Sequence, residues 1–131
     1  MKLLQRVALF FGGLYGAVGV ALSALASHVS DEILAANGRE MLRAASQMES
    51  LHAVLIIVLA LSQKPNFIVA TLGYIVGILF FCLPVTLAAF GWIDRAYGAP
   101  AGGVLLMVSW LYLALAAIGG RATKRQRSIE D

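Results

Sequence analysis

Charge is what this sequence has least of. Only 13% of its 131 residues are Asp, Glu, Lys or Arg, about half the share of a soluble domain. Hydrophobic residues make up 60% and the mean hydropathy is +0.84. A chain of this composition has too little polar surface to cover itself in water, which makes lipid the better solvent. Cysteine is nearly absent as well. Cys82 is the single one, so no intrachain disulfide can form, and its apolar neighbourhood reads as that of a small packed hydrophobe. Catalytic signatures are missing too. There is no glycine–lysine–serine phosphate loop and no serine in a glycine elbow, and the Asp and Glu residues are not paired for metal-assisted hydrolysis. The glycines fall inside apolar runs, without the strand–turn–helix context of a dinucleotide fingerprint. The length allows one domain and leaves no room for an anchor plus a separate enzyme. A net charge of +3 does not point to nucleic acid, because the basic residues cluster at the ends with no aromatic array between them. Cationic tails beside apolar runs suit lipid headgroups instead.

What is present is a series of long uncharged runs. The first, over 7–27, has helical length of roughly 31 Å, enough for the hydrocarbon core. Lys2 and Arg6 precede it, and Ala24-Leu25-Ala26 follows its apolar stretch, a pattern shared with secretory leaders. Gly12, Gly16 and Gly19, continued by Ser23, mark one side as a close-packing face, which a retained span needs and a leader does not. Over 30–43, Ser30 is a suitable N-cap, with Asp31 and Glu32 in the first turn, and Asn37-Gly38 reads as a turn. Met41, Ala44/Ala45 and Met48 recur at helical spacing, opposite Arg39, Glu40, Arg43 and Gln47. This predicts a short amphipathic helix in the membrane interface that runs into a second span.

The second span is placed over 44–62. It draws Gln47, Glu49 and His52 into the apolar region and closes at Gln63-Lys64-Pro65-Asn66. The third, over 67–90, has no charge; Gly73 and Gly77 give it a packing face, and Pro84 predicts a kink that frees the Phe80 carbonyl. A loop with Trp92 and Tyr97 at headgroup level leads to the fourth span, over 99–120. Pro100 suits its first turn, Gly102 and Gly103 allow close contact, and 121–131 form a basic tail. The expected fold is all-α: one integral membrane domain, a four-helix bundle with the interfacial helix between spans one and two. Seven Lys/Arg fall on the side of the termini and three, Arg39, Arg43 and Arg95, on the other. This places both termini in the cytoplasm.

Few polar groups remain for chemistry. Glu49 and His52 are three apart and share a helix face, and the charge-derived topology puts them with His28 at the outer side. A carboxyl beside imidazole within a membrane needs a partner. These three form the candidate site, against the plainer reading that they close the outer mouth of the bundle by hydrogen bonds. Two histidines and a glutamate can ligate zinc, but only one local pair exists. Two histidines can ligate a haem, but nothing fixes them on opposed helices. Neither metal nor cofactor is predicted, and no catalytic residue is assigned.

Several motifs taken in order resemble those of domain of unknown function 423, the YgdD-like small bacterial inner-membrane proteins, related to the transmembrane protein 256 group. The likeness runs from about Gly12 to Gly119. A Gly-Ala-His-type end of the first helix corresponds to Leu25-Ala26-Ser27-His28, with Ala26 in place of the glycine. A Gln-x-x-His motif corresponds to Glu49-Ser50-Leu51-His52, with Glu49 in place of the amide. Gly77 and Phe81 fit a Gly-x-x-x-Phe pattern, while Cys82-Leu83-Pro84 departs from the Ser-Gly-Ser that follows it. Pro100, Gly102, Gly103 and Trp110 fit a Pro-x-Gly-Gly helix that carries a tryptophan. The resemblance implies four spans in a bacterial inner membrane, with His28 and His52 as parts of one feature, and it implies no substrate.

Three functional readings follow. The first is a non-catalytic accessory or assembly subunit, packed against lipids and other membrane subunits or against its own copies. The second is a small oligomeric transporter or channel that uses the polar cluster. The third is a membrane subunit that binds a quinone, haem or other cofactor.

Overall fold

The computed structural model describes residues 2–62 and 64–130, apart from the side chains of 66 and 119–130. The basic character of the 121–131 tail therefore lies on side chains outside the described residues. The described residues form four α-helices: α1 (Leu3–His28), α2 (Gly38–Ser62), α3 (Ile68–Ala89) and α4 (Ala99–Glu130). Each contains a stretch long and apolar enough to cross a membrane; in α4 it is Ala99–Ile118. The protein is an all-α, multi-pass membrane bundle, with no strand among the described residues.

The breaks between helices have local causes. Asn37, at φ 60°, takes the left-handed conformation that asparagine tolerates, and α2 starts immediately after it. Pro65 opens a single 3-10 turn, Pro65–Phe67, that leads into α3. α3 ends in a Schellman arrangement. Gly91, at φ 69°, donates to the Ala88 carbonyl (3.0 Å), and the Trp92 amide donates to Leu87 (3.0 Å).

The expected interfacial helix over 30–43 does not form as a separate element. Asp31–Ile33 make one 3-10 turn capped by Ser30, and the left-handed Asn37 cuts the chain. Met41, Ala44/Ala45 and Met48 belong instead to the first turns of α2, which takes in Arg39 to Gln47 as well as the apolar run.

Successive helices run antiparallel. α1 packs on α2, α2 on α3 and α3 on α4, while α1 and α4 are not packed together. The core lies between α1, α2 and α3, around Tyr15, Leu42, Ile56, Tyr74 and Ile78. Small residues set the spacing. A Cβ on Gly12 would meet Ile57, and one on Gly19 would run into Ser50, whereas at Gly16 it would reach only Ala53, at an ordinary 3.8 Å. On the other side, Gly73 faces Ser109, Gly77 faces Leu106, and Gly102 lies against the backbone of Gly77 and Phe81; Gly103 is only in ordinary contact with the Phe81 ring. Without a hydrophobic force between helices in lipid, such close backbone approach is a main source of association. α3 continues through Pro84, and the Phe80 carbonyl left without its helical donor faces Gly98.

The loops at one end are tied down. The Ala35 amide donates to the Ala89 carbonyl at 2.9 Å, which joins the α1–α2 loop to the end of α3. The Arg39 guanidinium donates to the carbonyls of Ala26 (2.5 Å) and Val29 (2.7 Å) and pairs with Asp31 (2.7 Å). One side chain thus satisfies carbonyls at the open C-terminus of α1 and closes the loop.

Candidate functional site

Polar side chains in the interior gather at mid-depth. Glu49 and His52 lie close to the middle of α2 and are buried, at 5% and 2% exposure. They stand well inside the helix because α2 begins at Gly38, ahead of the start at 44 expected for the span. His28 does not join them. Its side chain is exposed at the last residue of α1. The α1–α2 register sets Gly19 beside Ser50. Nine residues further along α1, His28 is displaced by roughly 13 Å along the helix axis.

His52 is held at both ring nitrogens. Nδ1 lies 2.8 Å from the Met48 carbonyl, one turn back on α2, and therefore carries the proton. Nε2 then accepts the indole N–H of Trp110, at 3.2 Å. The two bonds fix the neutral tautomer and its orientation. Tyr74 completes an aromatic triad, with ring centroids 5.4 Å from His52 and 5.5 Å from Trp110, the latter edge-on. The triad brings side chains of α2, α3 and α4 together. The Tyr74 hydroxyl is buried and has no hydrogen-bond partner among the described residues.

Glu49 faces the other side of the core. Its carboxyl lies against the Cys82 thiol on α3, and Tyr15 of α1 is in electrostatic range of both. The Glu49 carboxyl is almost wholly buried, and the Cys82 thiol is its hydrogen-bonding neighbour. The Tyr15 hydroxyl is satisfied by the Ile75 carbonyl (2.7 Å), and the Cys82 thiol points to the Ala45 carbonyl (3.5 Å). Ser46 donates to the Gly19 carbonyl (2.8 Å), which binds α2 to α1. Thr71 and Ser109 return their hydroxyls to their own helices.

Among the described residues, no group of three or more His, Cys, Asp and Glu side chains is placed to hold a metal ion. A bis-histidine haem site within one copy would need His28 and His52 on facing positions, which the register does not provide. Spacing along the sequence singles out His52 and Glu49 but not their neighbours Tyr15, Tyr74 and Cys82. The available signal was polar-tipped aromatics at mid-span, since a buried Tyr or Trp in lipid needs a hydrogen-bond partner.

A family model described as "Protein of unknown function (DUF423)" matches residues 22–120, about three quarters of the chain. No curated protein and no solved structure matches.

Proposed function

The chain belongs to the DUF423 family, and from that premise we propose that it is a non-catalytic accessory or assembly subunit that docks against a larger membrane complex. The bundle's open edges support this most directly. Only 17% of the membrane-crossing stretch of α4 is buried, against 44% in α2. The uncovered face of α4 presents Val104, Met107, Val108, Leu111 and Leu115, and α1 leaves Phe10 and Val20 outward. The glycine faces are already used between α1 and α2 and between α3 and α4. The polar groups of His52, Ser46 and Tyr15 are bonded internally. What remains for another molecule is apolar helix surface, which α2 (Leu51, Val54, Val58) and α3 (Phe80, Leu83) present as well.

The proposed setting is a bacterial inner membrane with both termini cytoplasmic, as the Lys/Arg distribution favours. Kinship with the YgdD-like and transmembrane protein 256 groups is part of the same proposal. A photo-crosslinking residue at Leu111 or Leu115, in native membranes, tests the docking. The expected product is a discrete heavier protein species. Crosslinks to lipid alone at both positions overturn the subunit reading. A second reading, a small oligomeric transporter or channel, is favoured by Glu49, a carboxyl buried within a helix apolar enough to cross a membrane. Ion flux in vesicles that vanishes with Glu49→Gln would select it.

A further inference from the structure

At the end of the bundle opposite the Arg39 loop, the N-terminal turns of α1 and α3 part and leave a cleft of about 160 Å³ between them and the last turns of α2. Ala8 and Ala60 keep it open because their side chains are too small to fill it. Its walls are mainly apolar, from Ala8, Leu59, Leu72 and Ile75, with Gln5 and Thr71 as the polar exceptions besides the lysines. Lys2 and Lys64 stand at its rim, one from the start of α1 and one from the link between α2 and α3. A mostly apolar cleft that opens from a membrane-crossing bundle accepts an apolar guest. Both lysines are exposed near helix ends, where their long side chains can reach the headgroup layer.

We propose that this cleft is a binding site for one anionic phospholipid, whose phosphate is held by Lys2 and Lys64 and whose acyl chain lies between α1 and α3. Charge and polarity decide the occupant. A soluble anion has no use for the apolar walls, and a neutral lipid has no use for the paired lysines. The α1 N-terminus adds to the positive character of the mouth, because its first amides have no side-chain cap. Lys64 also lies over the Phe67 ring, 5.3 Å from its centroid, which positions it at the junction of α2 and α3.

The test uses the full chain in nanodiscs of mixed phosphatidylcholine and phosphatidylglycerol, with native mass spectrometry to read the retained lipid. The wild type is expected to retain phosphatidylglycerol preferentially. Lys2→Gln with Lys64→Gln should weaken that retention roughly thirtyfold, at about a factor of five for each lysine near the surface. Arg43→Gln with Arg95→Gln removes the same charge at the other end and should leave retention unchanged. Leu72→Trp, at a half-exposed wall position, should also displace the lipid while leaving both lysines in place. Equal retention of the two lipids, or equal loss in both charge-removal pairs, overturns the site. Displacement of the lipid by inorganic phosphate alone, or full retention in Leu72→Trp, overturns the seated acyl chain.

Discussion

The Trp110 indole donates to His52 Nε2 across 3.2 Å, joining α4 to α2, two helices 58 residues apart at these positions, over the top of Tyr74. Because α4 has little other buried surface, this bond is a principal polar tie that holds it to the bundle. Trp110→Phe keeps most of the aromatic bulk but leaves Nε2 unpaired. A loss of about 1 kcal/mol is expected in denaturant unfolding in detergent. The double variant with His52→Phe should lose less than the sum of the two single variants. Additive losses would mean that the two rings contribute separately.

Glu49 is buried with only the weak thiol donor of Cys82 beside its carboxyl, so its charge is a cost to the fold and not a support. Glu49→Gln is expected to leave unfolding within about 0.5 kcal/mol of the wild type or to raise its stability. The amide is also the residue that the resembled motif carries at this position. A loss of more than about 2 kcal/mol would show that the carboxylate makes a bond of its own.

The glycines divide by what stands opposite them. Gly73→Leu must displace Ser109 and separate α3 from α4, and Gly19→Leu must displace Ser50 and separate α1 from α2. Each should cost about 1–3 kcal/mol from overpacking and lower the yield of monodisperse protein. A Cβ added at Gly13 would have nothing within 4 Å of it, so Gly13→Leu should behave as the wild type. Equal tolerance at Gly13 and Gly73 would contradict the α3–α4 packing.

Arg39 reaches two carbonyls and Asp31 with one planar group. Lysine cannot reproduce that fork. Arg39→Ala and Arg39→Lys are both expected to lower stability, by about 1–3 kcal/mol, and to speed amide exchange at Gly38 and Ala35. Full recovery in Arg39→Lys would reduce the role of Arg39 to its charge.

The spans were legible because an uncharged run of helical length has few other places to go, and the runs that became α1, α3 and α4 are of that kind. α2 was harder. Arg39, Glu40 and Arg43 look like an interfacial helix by charge, yet they form the first turns of a helix that then enters the apolar core. Glu49 and His52 could be singled out from spacing alone. Their partners could not, because Trp110, Tyr74 and Cys82 lie on other helices and meet α2 only through packing. His28 looked equivalent to His52 in the sequence. The antiparallel register set by Gly12 and Gly19 separates the two, and that register depends on side-chain contacts between distant segments.

If α2 crosses the membrane with Glu49 and His52 at mid-depth, Ser30 and Tyr97 lie on one side and Leu3 and Lys64 on the other. Single cysteines introduced as Ser30→Cys, Tyr97→Cys, Leu3→Cys and Lys64→Cys, in a Cys82→Ala background, can be probed in spheroplasts with an impermeant maleimide. With both termini cytoplasmic, as proposed, the first two are expected to label in intact spheroplasts and the last two only after permeabilisation. Labelling of Lys64→Cys together with Ser30→Cys before permeabilisation would show that α2 does not cross.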